Sequence, residues 1–142
     1  LTKKRLIHVF GAAARRDTYK RPEMGKISSG YADIMVVTAE DPRDEPIAQI
    51  TNQILEGVSD KRFAIVSEEA STQMKFDDNK KYIVTIADRK KAVEFAINLA
   101  KKGDIVLMTG KGHEKSMNYG HGEEPYDENS VARESLQARK LI

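Results

Sequence analysis

The chain has 142 residues, with 24 Lys and Arg against 22 Asp and Glu, 39% hydrophobic and 32% charged residues, and no cysteine. That length fits one domain able to bury its own core. It excludes disulfides, thiolate catalysis and Cys-based zinc sites, and a formal charge of +2 gives no reason to expect nucleic acid or an acidic membrane as partner. Apolar runs of about five residues fall far short of the roughly 20 needed to cross a bilayer. With no signal-like leader, the expected location is cytoplasmic.

Leu6 to Phe10 is a short apolar run closed by Gly11, and predicts the first strand. A long basic loop follows, containing Arg15, Arg16, Asp17, Lys20 and Arg21. Pro22 suits a first helical turn, and Met24, Ile27 and Tyr31 recur at helical spacing, predicting a helix from Glu23 to Tyr31. Ile34 to Thr38 is a continuous apolar strand of the kind buried in parallel sheets. Residues 39–46 form a Pro-containing loop; Ile47, Ile50, Ile54 and Leu55 then predict a helix stopped by Gly57. Residues 58–80 are read as an excursion from the main sheet, with Phe63 to Val66 either a strand or a short buried helical turn. Tyr82 to Ile86 is a strand, and Asp88 caps a helix whose apolar stripe is Val93, Ala96, Ile97 and Ala100, ended by Gly103. Asp104 to Thr109 is the next strand. After a Gly-rich loop, a final helix is predicted over 129–139, anchored by Val131 and Leu136. This alternation predicts an α/β fold: a Rossmann-like, mostly parallel sheet with helices on both faces.

Two polar loops stand directly after apolar strands: Glu40-Asp41-Pro42-Arg43 and Gly110-Lys111-Gly112-His113-Glu114. Ligands of open α/β sheets bind outside the carboxyl ends of the strands. An arginine there can clamp a carboxylate through two parallel hydrogen bonds, and a glutamate can receive an ammonium. Each loop taken alone also reads as a solvated turn. Neither the Walker A nor the dinucleotide-binding glycine pattern is met. His8, His113 and His121 lie at no metal-ligand spacing, and no residue is assigned as catalytic or metal-binding.

Taken together, the loops resemble the C-terminal domain of the Mur ligases, nearest to the branch that adds the third residue of the peptidoglycan stem peptide. The likeness runs through Val9-Phe10-Gly11, Arg16-Asp17, Lys20-Arg21-Pro22, Tyr31-Ala32-Asp33, Asp41-Pro42-Arg43, Ala87-Asp88-Arg89, Gly110 to Glu114 and Val131-Ala132-Arg133. The resemblance implies that residues 1–142 are the amino-acid-binding domain of a longer ATP-dependent ligase. The start at Leu1 rather than Met fits that expectation. ATP and Mg2+ would be bound mainly by N-terminal and central domains outside this chain, and those domains would be its partners along with a UDP-N-acetylmuramoyl dipeptide and a diamino acid. The carried-over diamino-acid contacts are Arg16, Glu40, Asp41, Pro42, Arg43, Gly110 and Glu114, with Lys20 and Arg21 as phosphate- or nucleotide-facing cations. The recognition motif is usually Asp-Asn-Pro-Arg in the meso-diaminopimelate enzymes and is Glu40-Asp41-Pro42-Arg43 here. The added carboxylate favours lysine, Arg43 favours diaminopimelate, and the reading leans to diaminopimelate. A folylpolyglutamate or cyanophycin synthetase type of ligase, or a non-catalytic α/β module binding a small anion or a partner, are the alternatives.

Overall fold

The computed structural model describes residues 4–139. Five parallel strands make the main sheet: β1 (Leu6–Phe10), β2 (Ile34–Val37), β3 (Phe63–Ser67), β4 (Lys81–Thr85) and β5 (Ile105–Met108), in the order β3-β4-β2-β1-β5. The helices are α1 (Arg21–Tyr31), α2 (Ile47–Leu55), α3 (Glu68–Ser71), α4 (Arg89–Leu99) and α5 (Glu128–Ala138). A small antiparallel hairpin, β6 (Ser116–Asn118) and β7 (Glu123–Pro125), stands apart from the sheet.

Because strand side chains alternate between faces, β2 feeds two cores at once. Ile34 and Val36 join Val9, Val84, Val93, Ala96 and Ile97 under α4 and α5. Met35 and Val37 join Phe10, Ile83, Ile50 and Ile54 under α1 and α2. All four β2 residues are buried, as its unbroken apolar run requires of a central parallel strand. Each fully enclosed aliphatic side chain contributes about 1.5–3 kcal/mol.

Two sequence expectations are corrected. The stretch read as an excursion supplies β3, which pairs in register with β4 from Phe63↔Lys81 to Ser67↔Thr85. Ala64 and Ile65 are exposed on this edge strand, so it lacks the two-sided apolar signature of its neighbours. The hairpin stands where the sequence predicts loop: its strands are three residues each, too short for a periodic signal, and only the Gly120-His121-Gly122 turn marks it.

The loops after β2, β1 and β5 leave three adjacent strands at their carboxyl ends. Gly11 lets β1 and β2 end side by side there: a Cβ at this position would lie 2.1 Å from the Thr38 carbonyl oxygen. The opposite side of β5 is an open edge. Ile105, Leu107, Ile27 and Tyr31 expose apolar surface around it, beside a groove lined by Leu6, His8, Phe10 and Met24.

Candidate amino-acid site

Buried ion pairs hold the two polar loops in place. Asp41 adopts a left-handed conformation (φ 45°) and spends both carboxylate oxygens on the neighbouring loop. One accepts from the Asn118 backbone N–H at 2.8 Å, and the other from Lys111 Nζ at 2.7 Å. Lys111 is buried and also donates to the Ser116 carbonyl. The Arg43 N–H closes the join by donating to the Asn118 carbonyl at 3.0 Å, so the hairpin braces the whole loop. The sequence alone points to no role for Lys111 or Asn118. In sequence, a lysine between two glycines looks like a solvated turn, and only the fold puts it against Asp41.

Glu40 lies half-buried against Gly110. A Cβ at Gly110 would stand 2.6 Å from Glu40 Oε2, and the glycine's φ of 97° is one that L side chains rarely adopt. Burial, reinforced by the Asp41 and Glu114 carboxylates and opposed by Arg89 and Lys111, pushes the Glu40 carboxyl from 4.5 up to about 7. Glu114 Oε2 is buried with no hydrogen-bond partner among the described residues. The Glu40 and Glu114 carboxylates therefore lie near enough to repel each other, and Glu114 keeps one buried acceptor unused. A buried acceptor without a donor costs about 1–3 kcal/mol, which a ligand ammonium would remove.

Arg43 also has a positive φ, 51°, and its side chain is exposed, with no hydrogen bond or ion pair among the described residues. Pro42 is buried and stiffens the turn. Arg16 is exposed, set between the left-handed Arg15 (φ 53°) and Asp17 (φ 41°). Its loop is tied to the others through Ala14, whose N–H donates to the Asp41 carbonyl at 3.1 Å. Lys20 is exposed, 3.5 Å from Asp17.

Arg21 corrects an expectation. The resemblance implies a phosphate- or nucleotide-facing cation at this position, yet the side chain is fully enclosed. Its guanidinium donates to Glu45 at 2.6 and 2.9 Å, to the Ala13 carbonyl and to Gln53. That hydrogen bonding holds the Glu45 carboxyl down at about 2. Arg21 thus braces the loop after β1 against the start of α2 and presents no surface to a phosphate.

Residues 1–112 match the family model described as Mur ligase, glutamate ligase domain. The chain belongs to the Mur ligase family. It is 38% identical over 136 residues to the UDP-N-acetylmuramoyl-L-alanyl-D-glutamate–2,6-diaminopimelate ligase of Aquifex aeolicus, covering 96% of this chain and 24% of that protein. It is 39% identical over 136 residues to the UDP-N-acetylmuramyl-tripeptide synthetase of Treponema pallidum, covering 96% and 22%. A solved structure of a UDP-N-acetylmuramoyl-L-alanyl-D-glutamate–2,6-diaminopimelate ligase superposes with a TM-score of 0.78 at 26% identity, over 99% of this chain and 25% of that one. The chain thus spans about a quarter of the length of the Mur ligases it matches. Among the described residues no helix is long and apolar enough to cross a membrane, and no three His, Asp or Glu side chains cluster as a metal site.

Proposed function

We propose that this chain is the C-terminal domain of a cytoplasmic, ATP-dependent Mur ligase and that it holds the diamino acid added to UDP-N-acetylmuramoyl-L-alanyl-D-glutamate. The observation that carries the reading is the unsatisfied Glu114 carboxylate beside Glu40 at Gly110, on a loop locked to the one that bears Arg43. The carboxylates would receive an ammonium, and the free guanidinium of Arg43 would take a carboxylate of the same molecule. Arg16 supplies a second cation from the adjoining loop. ATP and Mg2+ are assigned to the rest of the ligase; Arg21, the cation that the resemblance turned towards a phosphate, is consumed internally. The apolar surface of Ile27, Tyr31, Ile105 and Leu107 supports a chain that packs against further parts of a longer enzyme.

Diaminopimelate is the amino acid this geometry favours. Lysine offers Arg43 no second carboxylate. The extra charge of Asp41, which in sequence favoured lysine, is taken up by Lys111. The names of the Aquifex relative and of the solved structure agree.

The test uses the full-length ligase with ATP, magnesium and the nucleotide dipeptide. Phosphate release is expected to depend on a diamino acid, with a higher kcat/KM for diaminopimelate than for lysine. If diaminopimelate, lysine and ornithine all fail to stimulate release, the function is something else. If lysine is the better substrate, only the choice of amino acid falls.

A further inference from the structure

We propose that Arg89 is a positioning residue for the amino-acid site: from behind the sheet it sets the separation of the two recognition loops by holding the backbone carbonyl at the root of each. The proposal rests on the reading of that site as a diamino-acid pocket.

Arg89 is the first residue of α4 and is completely buried. Helix chemistry does not account for it, since a helix N-terminus carries partial positive charge and disfavours a cation. What it binds does account for it. One terminal nitrogen donates to the Ala39 carbonyl at 3.0 Å, immediately before Glu40. The other donates to the Thr109 carbonyl at 2.8 Å, immediately before Gly110. Glu128, the first residue of α5, takes two further bonds at 2.8 Å each and is itself held by the Tyr126 hydroxyl at 2.6 Å. The Arg89 backbone N–H donates to the Tyr119 hydroxyl in the hairpin turn at 3.0 Å.

Sheet hydrogen bonding cannot do this job. β2 and β5 are not neighbours; β1 lies between them. The ladder reaches β1 from each side, through Thr38 N–H to the Phe10 carbonyl and Thr109 N–H to the Val9 carbonyl, and stops there. A single guanidinium spans the gap beyond the end of β1. Its planar fork matches a carboxylate on one edge while still reaching two carbonyls, which an ammonium cannot reproduce. A buried ion pair is weak grounds for assigning a stability role, because an apolar pair of similar volume often replaces it without loss.

Three variants of the full-length ligase decide the matter: Arg89→Lys, Arg89→Met combined with Glu128→Leu, and the milder Tyr126→Phe. The first two are expected to raise the diamino-acid KM at least about tenfold, with the KM values for ATP and the nucleotide dipeptide within about twofold of wild type. Tyr126→Phe is expected to move the same constant about threefold and covers the case in which the other two do not fold. Amide hydrogen exchange gives a readout that needs no substrate: residues 40–44 and 110–114 are expected to exchange faster together, while β1, β2 and β4 stay protected. An unchanged diamino-acid KM in a cooperatively folded variant, a rise common to all three substrates, or unchanged exchange in both loops would overturn the role. If no diamino acid stimulates the wild-type enzyme, the pocket reading fails instead, and the exchange experiment still decides whether Arg89 sets the loops.

Discussion

The wall behind the two polar loops and the face in front of them use the same residue types to opposite ends. Behind, Arg21, Arg89 and Lys111 are buried, each paired with a carboxylate and each also holding a backbone carbonyl. In front, Arg16 and Arg43 are exposed without side-chain partners among the described residues, and Glu114 keeps a buried oxygen unused. The charges of the first set are taken up by the fold, although Arg21 Nε is buried without a partner, whereas the guanidiniums of the second stay open to solvent. A buried charge left alone is expensive, so each wall cation needs its carboxylate.

The sharpest way to break this contrast is to remove a wall cation. Arg21→Met strands Glu45 in the interior and is expected to cost about 3–5 kcal/mol, read by thermal or denaturant unfolding, whereas adding Glu45→Leu should recover much of the loss. The same pair predicts acid lability. Because Arg21 depresses the Glu45 carboxyl from 4.5 to about 2, its stabilisation is fully present above pH 4.5 and is lost as the pH falls through about 2. An Arg21→Met protein as stable as wild type would erase the distinction between wall and face.

A face cation should behave in the opposite way. Arg43→Ala is expected to change stability by no more than about 0.5 kcal/mol while raising the diamino-acid KM of the full-length ligase about 10- to 100-fold. Steady-state kinetics with each substrate varied in turn checks it. An unchanged KM would take Arg43 out of the site.

Glu40 stands between the two regions, and its titration sharpens the comparison. With its carboxyl near 7, the free site is partly protonated at neutral pH and receives an ammonium less well as the pH falls. The diamino-acid kcat/KM should fall by up to about tenfold per pH unit below 7 and level off above about 8, and Glu40→Gln should remove that dependence. In the folded chain Glu40 keeps a proton between pH 4.5 and about 7 that the unfolded chain has released, so this group lowers stability as pH rises through that window. A pH-independent kcat/KM would mean the carboxyl is ionised throughout.

The smallest effect on substrate choice is expected at Asp41. The side chain belongs to the wall, since both oxygens are bonded to the neighbouring loop. Asp41→Asn keeps an acceptor for the Asn118 N–H and should change the preference between diaminopimelate and lysine by less than about threefold, under 1 kcal/mol. A larger swing in that ratio would return Asp41 to the ligand.

By itself the sequence determined the parallel α/β architecture, because unbroken apolar strands such as Ile34–Val37 and striped helices such as α4 leave few other ways to bury both faces. It also marked both polar loops, since glycine, proline and charge directly after a strand form a local pattern. Which charges build and which ones wait was decided by tertiary structure alone. Arg16 and Arg21 lie five residues apart in one basic loop, and nothing local separates the exposed guanidinium from the enclosed one. Asp41 and Lys111 are 70 residues apart, and Arg89 and Glu128 are 39 apart. Such pairs form only when strands from distant parts of the chain end side by side, and it is the dry space they enclose that makes partnering obligatory.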